Sequence, residues 1–191
     1  MEAKTPKSTD RRVQRTRRAL RDALIELILE RGWDKTSVQD VCERADIGRS
    51  TFYTHFADKE ELLVGGFDAL GKLLREPQSV PTDVRPLAFA RGMIEHAHEQ
   101  RRLFRAIVGK RSGQVVQQRF RQLLIDLVRE DLASLAPAGP RRDATVHYVA
   151  GAFFELLIWW LDARNPLQPS DVAELFHQLT TPVLDVLRGP R

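Results

Sequence analysis

Residues 36–56 read "TSVQDVCERADIGRSTFYTHF", and this stretch decides the fold of the whole chain. Thr36-Ser37-Val38-Gln39 has the form of a capping box, in which the Thr36 hydroxyl serves free helix amides and Gln39 reaches back. A short helix follows, with Val38, Val41, Cys42 and Ala45 on its inner side. Ala45-Asp46-Ile47-Gly48 is a turn, because aspartate tolerates a left-handed backbone and Gly48 can cap the next helix. Wound as a helix, residues 49–56 put Phe52 and Phe56 inward. Arg49, Ser50, Tyr53 and Thr54 take the opposite half, with Thr51 and His55 at its margin. Helix, tight turn and helix make a helix-turn-helix. An ordinary surface helix would show Glu and Lys outward. Short donors and acceptors beside an arginine and a tyrosine suit base edges, thymine methyls and phosphates instead. The partner implied is the major groove of double-stranded DNA.

Outward from this stretch the chain reads as helices throughout. The first runs from about Asp10 to Arg31, with Leu20, Leu24, Leu27 and Ile28 on one face and Gly32 as its stop. Residues 1–21 hold eight Lys or Arg against Glu2 and Asp10, a basic arm of the kind that meets phosphate backbones. Asp58 caps a fourth helix, with Glu61 three residues on and Leu63, Phe67, Leu70 and Leu74 as its stripe. Gly65, Gly66 and Gly71 lie inside that helix and make it the softest element. Pro77–Pro86 reads as a linker. Helices follow over Arg85–Gln100, Leu103–Val108, Gln114–Leu135, Arg141–Ala163 and Ser170–Leu187, the last kinked by Pro182. The expectation is an all-α chain of about nine helices. Residues 1–57 would form a DNA-binding module, and 58–191 a larger helical domain.

Composition narrows the function. The single cysteine, Cys42, allows no intramolecular disulfide and no cysteine-cluster metal site. The longest apolar run, Val149–Leu161, is interrupted by Glu155 and is too short to span a bilayer. The basic, polar N-terminus lacks the pattern of a signal peptide. The expectation is a cytoplasmic protein with no membrane partner. His96 and His98 stand two apart on a helix and point different ways, so they make a poor metal pair. With no metal cluster, no glycine-rich phosphate loop and no Ser or Cys nucleophile beside a base, neither an enzyme nor a cofactor is expected. The rival reading is a non-sequence-specific DNA-coating protein working through the basic arm, which would not need the donor-rich face of residues 49–54.

The longer segment "TSVQDVCERADIGRSTFYTHFADKEELL", residues 36–63, resembles the DNA-binding region of TetR-family transcriptional regulators. The resemblance rests on Thr36, the Phe52-Tyr53 pair, His55-Phe56 and Asp58-Lys59-Glu60-Glu61-Leu62, and it covers about the first 75 residues. Asp46 departs from the glycine usual there, and Gly48 from a serine or threonine cap. The resemblance implies that Arg49, Thr51 and Tyr53 contact bases or phosphates, with Ser50 and Thr54 in the groove and Gln39 at its edge. Arg17, Thr36, Ser37, His55 and Lys59 would complete the DNA contacts, mainly on phosphates.

More loosely, "LFRAIVGKRSG" and "GAFFELLIWWLDARNPLQPSDVAELFHQL" resemble the family's ligand-binding domain. The helix 141–163 is apolar nearly all round and needs cover on more than one side. The resemblance implies a homodimer through the last two helices, by Val146, Val149, Phe153, Leu157, Leu175, Phe176, Leu179 and Val183. It also implies a small-molecule effector in a pocket drawing on Phe89, Met93, His96, Phe104, Val108, Phe120, Leu124, Phe154 and Trp159. The function implied is a ligand-released repressor of a palindromic operator, with an activator of the same fold as the alternative.

Overall fold

Leucines recurring at helical spacing need a partner surface, and the first such run becomes α1 (Pro6–Arg31), which buries Leu20, Ala23, Leu24, Leu27 and Ile28. The computed structural model describes residues 6–75, 86–108, 114–162 and 167–188, with side chains from residue 11 onward. Among these residues there are nine helices and no strand. After α1 come α2 (Val38–Ala45), α3 (Arg49–His55), α4 (Lys59–Arg75) and α5 (Phe89–Glu99). They are followed by α6 (Arg101–Val108), α7 (Gln114–Leu132), α8 (Pro140–Asp162) and α9 (Pro169–Arg188). The all-α reading and the number of helices are borne out. α1 begins four residues earlier than the expected Asp10, and α9 runs through Pro182. Most of the expected linker, and the loop of residues 109–113, lie outside the described residues.

The chain divides into two compact units, Met1–Gly66 and Phe67–Arg191, so the boundary falls inside α4 and not at residue 57. The first turns of α4 belong to the N-terminal unit because Leu62 and Leu63 are buried there. Phe52 and Leu62 are fully buried in that unit, and Phe56 nearly so. Each side chain of this size contributes about 1.5–3 kcal/mol on burial.

In the C-terminal unit, α7 packs chiefly against α8, and α9 against α5 and α8. Phe104 meets both His96 and Phe120, with ring centroids 5.8 Å apart in each case, and Phe154 lies 6.2 Å from Phe120. The side chains of Phe89, Met93, Val108 and Leu124 are also buried. Trp159 does not join them. It is half exposed on the other side of α8, which corrects its expected place in a pocket. The neighbouring Trp160 faces inward and donates its indole N–H to the Leu167 carbonyl at 3.0 Å. Leu87, at φ +67°, is held at the entrance to α5 by a 2.9 Å hydrogen bond from its N–H to Asp131, whose carboxyl pKa is raised by burial.

The expected dimer residues also need correction. Val146, Val149, Phe153, Leu157 and Phe176 are buried inside the single chain, with Phe153 and Phe176 in edge-on contact at 4.8 Å. They form the protomer's own core and have no surface to offer a second copy. The open apolar positions on the same two helices are Tyr148 (61% exposed), Trp159 (50%), Leu179 (63%) and Val186 (63%). Leu175 and Val183 are half-buried beside them. An open groove of about 350 Å³ runs among Arg141, Thr145, Tyr148, Val183 and Val186. α8 is long and apolar enough to cross a membrane by length and composition, but half of that window is buried, as in a core helix.

Candidate nucleic-acid interface

The turn between α2 and α3 is built from local hydrogen bonds. Asp46 takes the left-handed conformation (φ 52°, ψ 46°), and its N–H reaches the carbonyls of Cys42 and Glu43. Ile47 N–H donates to the Cys42 carbonyl at 3.0 Å, which closes the end of α2. Gly48 is the N-cap of α3, with no side chain to serve the helix amides. α3 is then pinned from beneath by Phe52 and stops at Phe56, whose backbone is extended.

Pinning one side leaves the other side open. Arg49, Ser50, Thr51, Tyr53 and Thr54 are all exposed, Tyr53 by 51%, and His55 is half-buried at the margin. Tyr53 stands edge-on to Phe52 at 5.4 Å, so its ring is braced. The Arg49 guanidinium lies over the Tyr53 ring at 6.0 Å and makes no ion pair among the described residues. Thr54 donates its hydroxyl to the Ser50 carbonyl at 2.9 Å, which leaves the hydroxyl oxygen able to accept. Gln39 is exposed on α2 and gives its amide N–H to Glu43 at 2.8 Å, so its carbonyl oxygen is the free end. With Arg49 it lines an open groove of about 380 Å³ along the turn. On α1, Arg17 is exposed with its guanidinium 5.1 Å from the Phe56 ring centre. Expected residues from three helices thus lie exposed in one unit, and Thr54 and Gln39 keep an oxygen able to accept.

Three of the expected residues have different work. Ser37, not Thr36, is the N-cap of α2: Asp40 N–H donates to the Ser37 hydroxyl, and the Asp40 carboxylate accepts the Ser37 N–H at 2.8 Å. Asp40, not Gln39, is therefore the reciprocal member of the capping box. Its pKa is lowered to about 2, first by the Ser37 hydroxyl, then by the Ser37 amide and by Arg31. Thr36 is 1% exposed and donates its hydroxyl to the Gly32 carbonyl at 2.9 Å, so it cannot reach a phosphate. Lys59 Nζ donates to the carbonyls of Trp33 (3.0 Å) and Thr36 (2.8 Å) and sits 4.2 Å above the Trp33 ring. It ties α4 to the α1–α2 corner. Ser37 itself remains exposed at the start of α2.

Residues missed in the sequence complete this frame. Arg44 bridges α2 to α1 through Glu30 (2.7 Å) and Glu26 (3.1 Å), and Arg31 pairs with Asp40 at 2.9 Å. Glu at positions 26 and 30 on one helix face was the available signal. The Asp58 cap is present as expected, with Glu61 N–H donating to it at 2.7 Å. Among the described residues no group of His, Cys, Asp and Glu could hold a metal ion.

Residues 20–65 match the family described as bacterial regulatory proteins, tetR family, and residues 85–182 match a transcriptional regulator C-terminal region. The transcriptional regulator TcmR of Streptomyces glaucescens is 30% identical over 112 residues, which are 58% of this chain and 45% of TcmR. In its matches the chain spans less than half the length of the curated relatives. The structure of a TetR transcriptional regulator from Streptococcus agalactiae aligns at a TM-score of 0.69 with 26% identity, covering 92% of this chain and 98% of that one. RolR, solved in complex with resorcinol, aligns at 0.59 with 20% identity over 95% of this chain and 97% of its own. Turn, open α3 face and helical C-terminal unit agree with these matches: the chain belongs to the TetR family of transcriptional regulators.

Proposed function

We propose that this regulator binds a palindromic operator as a homodimer, represses transcription from it, and is released by a small-molecule effector. The observation that carries the DNA-reading part is the outward face of α3, where Arg49, Ser50, Thr51, Tyr53 and Thr54 are exposed while Phe52 is wholly buried beneath them. A phosphate-coating protein has no use for a braced tyrosine and two threonines at groove-reading positions. Gln39 supplies an acceptor at the groove edge, and Arg17, Ser37 and His55 supply backbone contacts. Proteins of this family are generally DNA-binding repressors, which supports repression over activation. Its place of action is the cytoplasm, where bacterial DNA lies.

Dimerisation is supported by Tyr148, Trp159, Leu179 and Val186, which leave an apolar surface on the last two helices. Two-fold symmetry of the protein would be mirrored in the operator. Release needs an effector that prefers the DNA-incompetent form, and its differential affinity sets the loss of operator binding. The ring cluster of Phe104, Phe120 and Phe154 favours an apolar or aromatic effector.

The test is Tyr53→Ala. Specific binding is expected to weaken by about 1–3 kcal/mol, as for lost base or phosphate contacts. The dimer should persist in sedimentation. Unchanged operator affinity in a folded variant would overturn the assignment of α3.

A further inference from the structure

Glu130 and Asp131 are neighbours on α7, and each carboxylate holds the end of a different helix. Arg75, the last residue of α4, donates from Nε and Nη2 to the two oxygens of Glu130 at 2.6 and 2.8 Å, a bidentate pair. Asp131 accepts the N–H of Leu87, just ahead of α5, at 2.9 Å. The second half of α4 is fitted to the same helix. Phe67 meets Phe120 with ring centres 5.7 Å apart. A Cβ at Gly71 would stand 2.9 Å from Leu123 and 2.7 Å from the Arg75 guanidinium, so a larger residue there would displace both. All of these residues belong to the C-terminal unit.

Stability alone does not account for this arrangement. Arg75 and Glu130 are exposed, and an exposed ion pair contributes little. At Leu87 the backbone is left-handed (φ 67°), a conformation unfavourable to any residue with a Cβ. Burial raises the pKa of the Asp131 carboxyl that holds it, and so works against its charge. A strained residue held by a disfavoured charge persists where position matters more than stability. Position matters for α4. It is one helix from Lys59 to Arg75, and its first turns belong to the N-terminal unit, where Lys59 is tied to the α1–α2 corner. Gly65, Gly66 and Gly71 weaken its own helix propensity, so its course depends on what its second half lies against.

We infer that Glu130 is a positioning residue for operator recognition: through Arg75 it fixes the last turn of α4, while Asp131 beside it fixes the entrance to α5. Together they hold α4 in the course that lets α3 read its site. The inference rests on the DNA-reading function proposed above and names residues outside the α3 face on which that function depends.

The test is a charge-exchange cycle in the full chain, with R75E, E130R and R75E/E130R. Affinity is measured on a duplex obtained by selection from random DNA and on a random duplex, and the readout is their ratio. Net charge moves both affinities together and leaves that ratio unchanged. Each single reversal sets like charges face to face, and the preference for the selected duplex should fall at least about fivefold, the lower end of coupling between sites. The exchange rebuilds the pair and should restore the preference. At Asp131, D131N keeps an oxygen for the Leu87 N–H and should keep the preference, whereas D131A should lose it. If D131A does not fold, the charge-exchange cycle decides without it. Thermal unfolding of the same variants separates position from stability. Singles that melt earlier yet keep their preference while folded would make the pair merely structural and overturn the inference. A loss in R75E that E130R does not share, or that the exchange does not repair, also overturns it, because Arg75 would then act by itself. A wild-type chain with no preference overturns the reading of α3 and this inference with it, whereas a wild-type preference that both singles retain overturns this inference alone.

Discussion

Within one small unit, hydrogen-bonding side chains meet two opposite fates. On α3, Arg49, Ser50, Thr51, Tyr53 and Thr54 surround a buried phenylalanine and lie exposed, with the Thr54 hydroxyl alone shown turned back to a helix carbonyl. At the α1–α2 corner, Thr36 and Lys59 turn inward and give their protons to the carbonyls of Gly32, Trp33 and Thr36. The residue types are alike, and the difference lies in what the local backbone needs. A corner between helices leaves carbonyls without partners, and buried carbonyls must be satisfied. The middle of a helix satisfies its own. Polar side chains on α3 are therefore surplus to folding, and surplus donors on a braced face are what a groove can use.

This contrast can be broken in several ways. The largest effect is expected for Phe52→Ala, which removes the support of the α3 face and should cost about 3–5 kcal/mol in stability. Chemical denaturation of the variant would check it, and a cost below 1 kcal/mol would mean that α3 is not pinned by Phe52. Next comes Lys59→Met. If Lys59 is a tie between α4 and the corner, stability falls by about 1.5–3 kcal/mol, as for a hydrogen bond from a charged group. The salt slope of DNA binding should then stay the same, whereas a drop of about 0.9 would show that Lys59 holds a phosphate. A smaller effect, about 1 kcal/mol, is expected for Ser37→Ala, because the cap of α2 is lost. Thermal unfolding of Ser37→Ala beside Thr36→Ser would separate the cap from its buried neighbour.

The smallest effect is a dependence on acid. Asp40 has a folded pKa of about 2, below the ordinary carboxylate value, because the Ser37 hydroxyl and amide and Arg31 favour its charge. Its contribution is fully present above the ordinary value and is lost as the pH falls from there toward 2. Asp40→Asn should flatten that part of a stability–pH curve. A curve unchanged by the substitution would remove Asp40 from the cap.

The α3 face was legible in the sequence because period alone separates Phe52 and Phe56 from their neighbours. The turn was legible because Asp46 and Gly48 supply the conformations it needs. The cap of α2 was not, since Thr36 and Ser37 are adjacent hydroxyls and both have a suitable partner three residues on. The tertiary burial of Thr36 decides between them. Lys59 was misread for a related reason: a lysine at a helix start suits phosphate, and only the folded corner shows the carbonyls it already serves. On α8, apolar residues on nearly every side left periodicity with nothing to choose. The packing of α5, α7 and α9 makes Val149 and Phe153 interior and leaves Tyr148 and Trp159 outside.

The most direct measurement is selection of bound sequences from random DNA by the purified chain at near-physiological salt. The account predicts one enriched palindromic motif, its half-sites about one helical turn or more apart, and a motif altered or lost with Tyr53→Ala. Tight binding with no enriched motif would contradict it, because the charge of α1 would then suffice and the open face of α3 would have no reader's role.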